Sequence, residues 1–161
     1  MSWTYLNSGF FPSEEVTISP FDRGFLFADS VYEVIPSYNG TLALFEEHRS
    51  RLLRSLRETD IPKPEKWDSI EEIIRRLVKK NRFKNQSIYL QISRGKENER
   101  SHIPRIKTTP TLFITSSKLS MNPYITNINK YGLKVCTHED IRWKRCDIKS
   151  SALLGNIMLL R

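Results

Sequence analysis

A chain of 161 residues, 39% hydrophobic and 27% charged, can bury a core. It contains no run of about 18 apolar residues, which argues against a transmembrane helix. The formal charge of +8 is spread over different predicted elements, Arg75-Arg76 with Lys79-Lys80 on one and 142–145 on another. That scatter argues against a nucleic-acid surface and leaves room for a small-anion site.

Cys136 and Cys146 give neither a metal-ligand spacing nor a disulfide framework. The start, Met1-Ser2-Trp3-Thr4-Tyr5, lacks the basic-then-apolar pattern of a secretory signal. A cytoplasmic protein with reduced thiols is expected.

In chain order, 4–6 and 16–18 read as short strands. Residues 31–38 are rich in β-branched and aromatic side chains and predict a stronger one. Asn39-Gly40 suits a tight hairpin turn, with 41–45 returning as the partner strand. Residues 46–59, with an acidic start and Leu52, Leu53 and Leu56, predict a helix that ends before Pro62 and Pro64. Trp67, Ile70, Ile73, Ile74, Leu77 and Val78 recur at helical spacing, and Ser69 with Glu72 suggests a capping box.

Residues 87–93 alternate, with Ile88, Leu90 and Ile92 facing one way and Tyr89 and Gln91 the other. A polar loop over 95–109 and a strand over 111–116 follow. Residues 119–131, with Pro123 and several Asn, read as a linker. A strand is expected over 132–137, and a helix over 151–160.

The pattern predicts an α+β class: an antiparallel sheet with two helices, then the start of a second α/β domain. The corresponding boundaries are an N-terminal domain over 1–120, a linker over 121–131, and a second unit over 132–161. Ala152, Leu153, Leu154, Ile157, Met158, Leu159 and Leu160 make the last helix apolar, so it needs a covering surface. Either the chain is a fragment or truncated product, or a partner covers this helix.

Lys149 follows Ile148 and precedes that helix, so partial desolvation is expected. Desolvation favours the neutral amine, the form that attacks a carbonyl to give a Schiff base. On residue type alone, Arg51 reads as an exposed helix arginine and His102 as an ordinary loop histidine.

Glu139-Asp140-Ile141-Arg142-Trp143-Lys144-Arg145-Cys146-Asp147-Ile148-Lys149-Ser150 closely resembles the cofactor-lysine segment of D-amino-acid aminotransferases. These are pyridoxal-phosphate enzymes of the fold-type IV, branched-chain-aminotransferase-like group. Asp22-Arg23-Gly24-Phe25 with Phe27, then Asp29-Ser30-Val31-Tyr32-Glu33-Val34, resembles the family's opening motif. Ser30 stands where glycine is expected, a change anticipated to alter a turn.

The resemblance implies that Lys149 holds pyridoxal 5'-phosphate and moves the substrate proton. It implies that Arg51, in Glu47-His48-Arg49-Ser50-Arg51-Leu52, binds the cofactor phosphate. Arg94-Gly95 with Arg100-Ser101-His102 resembles the loop that traps the substrate carboxylate, here one residue longer. Arg100 would pair with the carboxylate, while His102 and the Tyr32 hydroxyl add hydrogen bonds. In the family this loop crosses a dimer interface, which implies a homodimer.

A carboxylate anchored at Arg100 and His102 favours D-amino acids over branched-chain L-substrates. The implied reaction transfers the amino group of a D-amino acid such as D-alanine to a 2-oxo acid such as 2-oxoglutarate. Glu33 and Arg142 are expected to support the site from behind, and His48 and His138 are given no partner. The acid that pairs with the cofactor's ring nitrogen lies beyond the lysine in this family, outside the sequence. The rival readings are an aminodeoxychorismate lyase on the same scaffold, a truncated non-catalytic chain that dimerises, and, third, a basic nucleic-acid module.

Overall fold

A computed structural model describes residues 2–105, 107–120, 135–137, 139–140 and 143–160. Its centre is a six-stranded antiparallel sheet in the order β2-β1-β6-β5-β3-β4. The strands are β1 (Trp3–Leu6), β2 (Gly9–Pro12), β3 (Ser30–Tyr38), β4 (Thr41–Leu42), β5 (Asn85–Ser93) and β6 (Thr111–Lys118). The helices are α1 (Arg23–Phe27), α2 (Phe45–Glu58), α3 (Ile70–Asn81) and α4 (Leu154–Leu159).

Period-two alternation decides the faces. Val31 and Ile35 of β3, Ile88, Leu90 and Ile92 of β5, and Leu112 and Ile114 of β6 are all buried. They share a core with Leu52 and Leu56 of α2 and with Ile70, Ile73, Ile74 and Leu77 of α3. Each fully buried aliphatic side chain contributes about 1.5–3 kcal/mol. Tyr32, Tyr89, Gln91 and Phe113 project from the other face and stay partly open.

The β3–β4 hairpin turns at Asn39 (φ 50°) and Gly40 (φ 82°), both left-handed as such a turn requires. The returning strand is only Thr41–Leu42, because Phe45 already starts α2.

Residues 16–18 form no strand. Their expected place is taken by β2, which pairs with β1 across a turn at Asn7 (φ 53°) and ends at Pro12 on the sheet edge. Proline lacks the N–H of an inner strand and is tolerated at an edge.

Ser69 does not form the expected capping box. It precedes α3 at φ −99°, ψ 3°, outside the extended region a capping serine adopts, and its side chain makes no cap hydrogen bond. A short 3-10 turn, Trp67–Ser69, feeds directly into α3.

The expected linker over 121–131 lies outside the described residues, as does the first half of the strand expected over 132–137. Residues 135–137 carry no strand, and the terminal helix is shorter than 151–160, running Leu154–Leu159. Its apolar side chains are open to solvent: Leu154 is 71% exposed and Met158 57%. Among the described residues, no helix is long and apolar enough to cross a membrane.

Candidate active site

Near its start, β3 is bordered by β5 on one side only. Residues 149–151 fill the other side. Tyr32 donates its N–H to the Lys149 carbonyl at 3.0 Å, and Ser151 donates to the Ser30 carbonyl at 3.1 Å. A bridge joins Val31 to Ser150. The Lys149 N–H donates to Ser55 Oγ on α2 at 3.3 Å. Ile148, buried in the core, is the apolar anchor that turns the next side chain outward.

That side chain is Lys149, whose Nζ lies 4.3 Å from the centre of the Tyr32 ring. Tyr32 and Lys149 line a cavity of about 140 Å³ with Trp143, Cys146 and Asn156. Tyr32 stacks on Tyr89 at 5.5 Å, and Tyr89 meets Phe113 edge-on at 6.3 Å. Burial, and then the neighbouring Tyr32, push the Tyr89 hydroxyl above its ordinary value. Alternation in 87–93 turns Tyr89 outward, but only the β3–β5–β6 register reveals this aromatic row.

Ser30 opens β3 and is not part of a turn. Its hydroxyl is 2.5 Å from Ser151 Oγ and accepts a bond from Gln91 Nε2 at 2.9 Å. The departure from glycine therefore adds a link between β3 and the lysine segment.

Arg51 lies on α2, one helical turn before Ser55. Its Nε and Nη2 donate to Oε1 and Oε2 of the fully buried Glu33, at 2.6 and 2.5 Å. These hydrogen bonds hold its guanidinium charged more firmly than usual, against partial burial. Arg51 does not line the Lys149 cavity, and its side chain is 42% exposed. Among the described residues, its Nη1 makes no hydrogen bond.

His48, which had no expected partner, contacts Glu33 Oε2 through Nδ1 at 2.7 Å. Helical spacing hid the pair, because Glu33 reaches it from a different element. Arg142 and His138 lie outside the described residues.

Arg100 and His102 are brought together at the ring of Phe27. Both approach the Phe27 ring, with the Arg100 guanidinium carbon 5.0 Å from its centre and the His102 ring 5.3 Å. Neither lines the cavity that holds Tyr32 and Lys149.

A second cavity, about 330 Å³, opens on the uncovered sheet face between Ile18, Phe25, Gln91 and Phe113. Among the described residues, no cluster of His, Cys, Asp and Glu is suited to a metal ion.

The family pattern of amino-transferase class IV matches residues 30–161. D-alanine aminotransferase of Staphylococcus epidermidis is 36% identical over 98% of this chain and 55% of its own length. The enzyme of that name from Listeria monocytogenes is 34% identical over 95% and 53%. The chain thus spans about half the length of the curated relatives it matches.

Among solved structures, the branched-chain amino acid aminotransferase of Escherichia coli superposes with a TM-score of 0.67 at 19% identity, over 73% of this chain and 40% of that one. The 4-amino-4-deoxychorismate lyase of Pseudomonas aeruginosa gives 0.56 at 23% identity, over 71% and 39%. These two share the fold, and the α+β sheet described above is that of the fold-type IV N-terminal domain. With the family pattern running from the first residue of β3 through the lysine segment, the chain belongs to the class IV aminotransferases.

Proposed function

We propose that this chain contributes to pyridoxal-phosphate-dependent transamination of D-amino acids, with D-alanine as a donor and 2-oxoglutarate as an acceptor. The observation that carries the reading is the Lys149 amine over the Tyr32 ring, on a segment bonded into the edge of β3. The relatives named D-alanine aminotransferase support the substrate class, since their similarity extends over nearly the whole chain.

The residues present fit the cofactor. An amine borders a cavity with an aromatic wall, and a cation stands one helical turn from the serine that receives the lysine's own N–H. When bound, pyridoxal phosphate supplies an electron sink for the pair left on a deprotonated α-carbon. Lys149 would hold the cofactor through Nζ, and its freed amine would take and return the proton at the substrate α-carbon. Arg51, held along one edge by Glu33, offers Nη1 to the phosphate.

Tyr32, Arg100 and His102 receive the substrate carboxylate. Because Arg100 and His102 sit on Phe27 and do not line the Lys149 cavity, we assign them to the site of a second copy, which makes the active species a homodimer. The division into 1–120, a linker over 121–131 and a cofactor domain starting at 132 belongs to the same proposal. So does a cytoplasmic location, which the two exposed free cysteines support.

A second reading, a non-catalytic chain that dimerises, draws support from the exposed apolar side chains of α4. Pyridoxal phosphate added to the protein separates the two. A bound visible band that is lost in Lys149→Ala, with pyruvate formed from D-alanine and 2-oxoglutarate, is expected. A dimer without that band supports the second reading, and a band unchanged in Lys149→Ala refutes the assignment of Lys149.

A further inference from the structure

The segment carrying Arg100 and His102 is held in place by one short helix. Arg23 and Phe27, the first and last residues of α1, are one turn apart and face the same way. Arg23 is only 4% exposed, and each of its three nitrogens donates. Nε donates to Asp29 Oδ2 at 2.8 Å, Nη1 to Glu97 Oε2 at 3.1 Å and to the Ser101 carbonyl at 2.6 Å, and Nη2 to the His102 carbonyl at 3.0 Å.

Gripping two successive carbonyls fixes the peptide planes on both sides of His102, and with them the direction of its side chain. Phe27 completes the arrangement. The Arg23 and Arg100 guanidinium carbons lie 4.9 and 5.0 Å from its ring centre, and the His102 ring packs beside it.

The loop is also closed at its ends. Glu97 Oε1 accepts the Arg105 N–H at 2.8 Å, and Arg23 donates its own N–H to the Gly95 carbonyl at 2.9 Å. Gly95 has φ +100°, and a Cβ there would meet the Thr109 carbonyl oxygen at 1.9 Å, so the entry to the loop admits only glycine.

We propose that Arg23 and Phe27 are positioning residues for the substrate carboxylate: α1 presets the directions of Arg100 and His102, an assignment that rests on the carboxylate role proposed for those two. Neither Arg23 nor Phe27 touches the substrate. They lower the cost of capturing a carboxylate by ordering its receptor in advance.

The test uses the full-length protein loaded with pyridoxal phosphate, with Arg23→Lys, Arg23→Gln, Phe27→Leu and Arg100→Ala. Arg23→Gln and Phe27→Leu are expected to raise the KM for D-alanine by roughly ten- to a hundredfold while kcat and the visible band of the bound cofactor hold, as misplacement of a binding group predicts. Arg23→Lys, which keeps the charge but not the fork, falls between them and the wild type. Independently of turnover, amide exchange over 101–105 quickens at least tenfold in Arg23→Gln. Should that variant fail to fold, Phe27→Leu carries the same kinetic test.

A KM unchanged in Phe27→Leu and Arg23→Lys, or a fall in kcat with KM unmoved, overturns the proposal. If Arg100→Ala also leaves the D-alanine KM unchanged, the carboxylate reading itself has failed. If Arg100→Ala raises it and the α1 variants do not, only the positioning role has failed.

Discussion

Two arginine–carboxylate clusters of nearly equal geometry stand in opposite environments. Arg23 binds Asp29 and Glu97 at 2.8 and 3.1 Å, and Arg145 binds Glu58 and Asp147 at 2.7 and 2.9 Å. The side chains of the first group are 3–17% exposed, those of the second 46–52%. Contact distance therefore does not rank them. Removing one partner of a buried pair strands the other charge in a poor solvent, whereas water takes over from a lost partner at the surface.

The buried cluster also joins distant parts of the chain. Arg94 shares Asp29 with Arg23 and donates to the Thr59 and Asp60 carbonyls just beyond the C-terminal end of α2. The helix α1, the loop over 95–109 and α2 are thereby held in one network. Among the described residues, the surface cluster ties the lysine segment to the end of α2.

The strongest way to break the comparison is Arg23→Met, which removes the Arg23 donors from Asp29, Glu97 and two carbonyls. Among the described residues, it leaves Asp29 only Arg94 and Glu97 only the Arg105 N–H. A loss of about 3–5 kcal/mol in unfolding free energy is expected, measured by urea denaturation. A loss under about 1 kcal/mol would place the cluster with surface pairs.

Acid gives a smaller effect. Burial pushes the Asp29 carboxyl up, but hydrogen bonds from Arg94 and Arg23 outweigh it and hold the group below its ordinary 3.8. The Arg105 N–H, aided by Arg23 and opposed by burial, likewise lowers Glu97. A carboxylate with a depressed folded pKa stabilises above its unfolded pKa, and that stability is lost as pH falls through the folded value. The urea midpoint should thus drop below about pH 4, and Asp29→Asn should flatten that part of the profile. An unaltered profile in the variant would count against the network.

The smallest effect belongs to Arg145→Ala. It should leave the urea midpoint nearly unmoved, and 1 M salt should erase any residual difference, because the Debye length is then about 3 Å.

Local chemistry made much of the fold legible. Alternation in β5 named its core face, the Asn39-Gly40 turn located the hairpin, and apolar spacing located α2 and α3. Local chemistry misled where a neighbour in space decides. The 16–18 stretch has strand-forming residues but pairs with no strand among the described residues, while β2 exists because β1 pairs with it. The serine before α3 has the right side chain and the wrong backbone angles.

The lysine was found through a resemblance of its segment to a family, and its place over Tyr32 emerged only when residue 149 met residue 32. The sequence by itself determined the stretches of β3, β5, β6, α2 and α3, which face of each is apolar, and which family the chain resembles, since these depend on residues a few positions apart. The tertiary structure alone decided that Arg23 grips the carbonyls of 101 and 102, that Glu33 holds both His48 and Arg51, and that Ser150 borders Val31. Those contacts join residues 15 to 119 positions apart, and no local preference of the backbone carries information over that range.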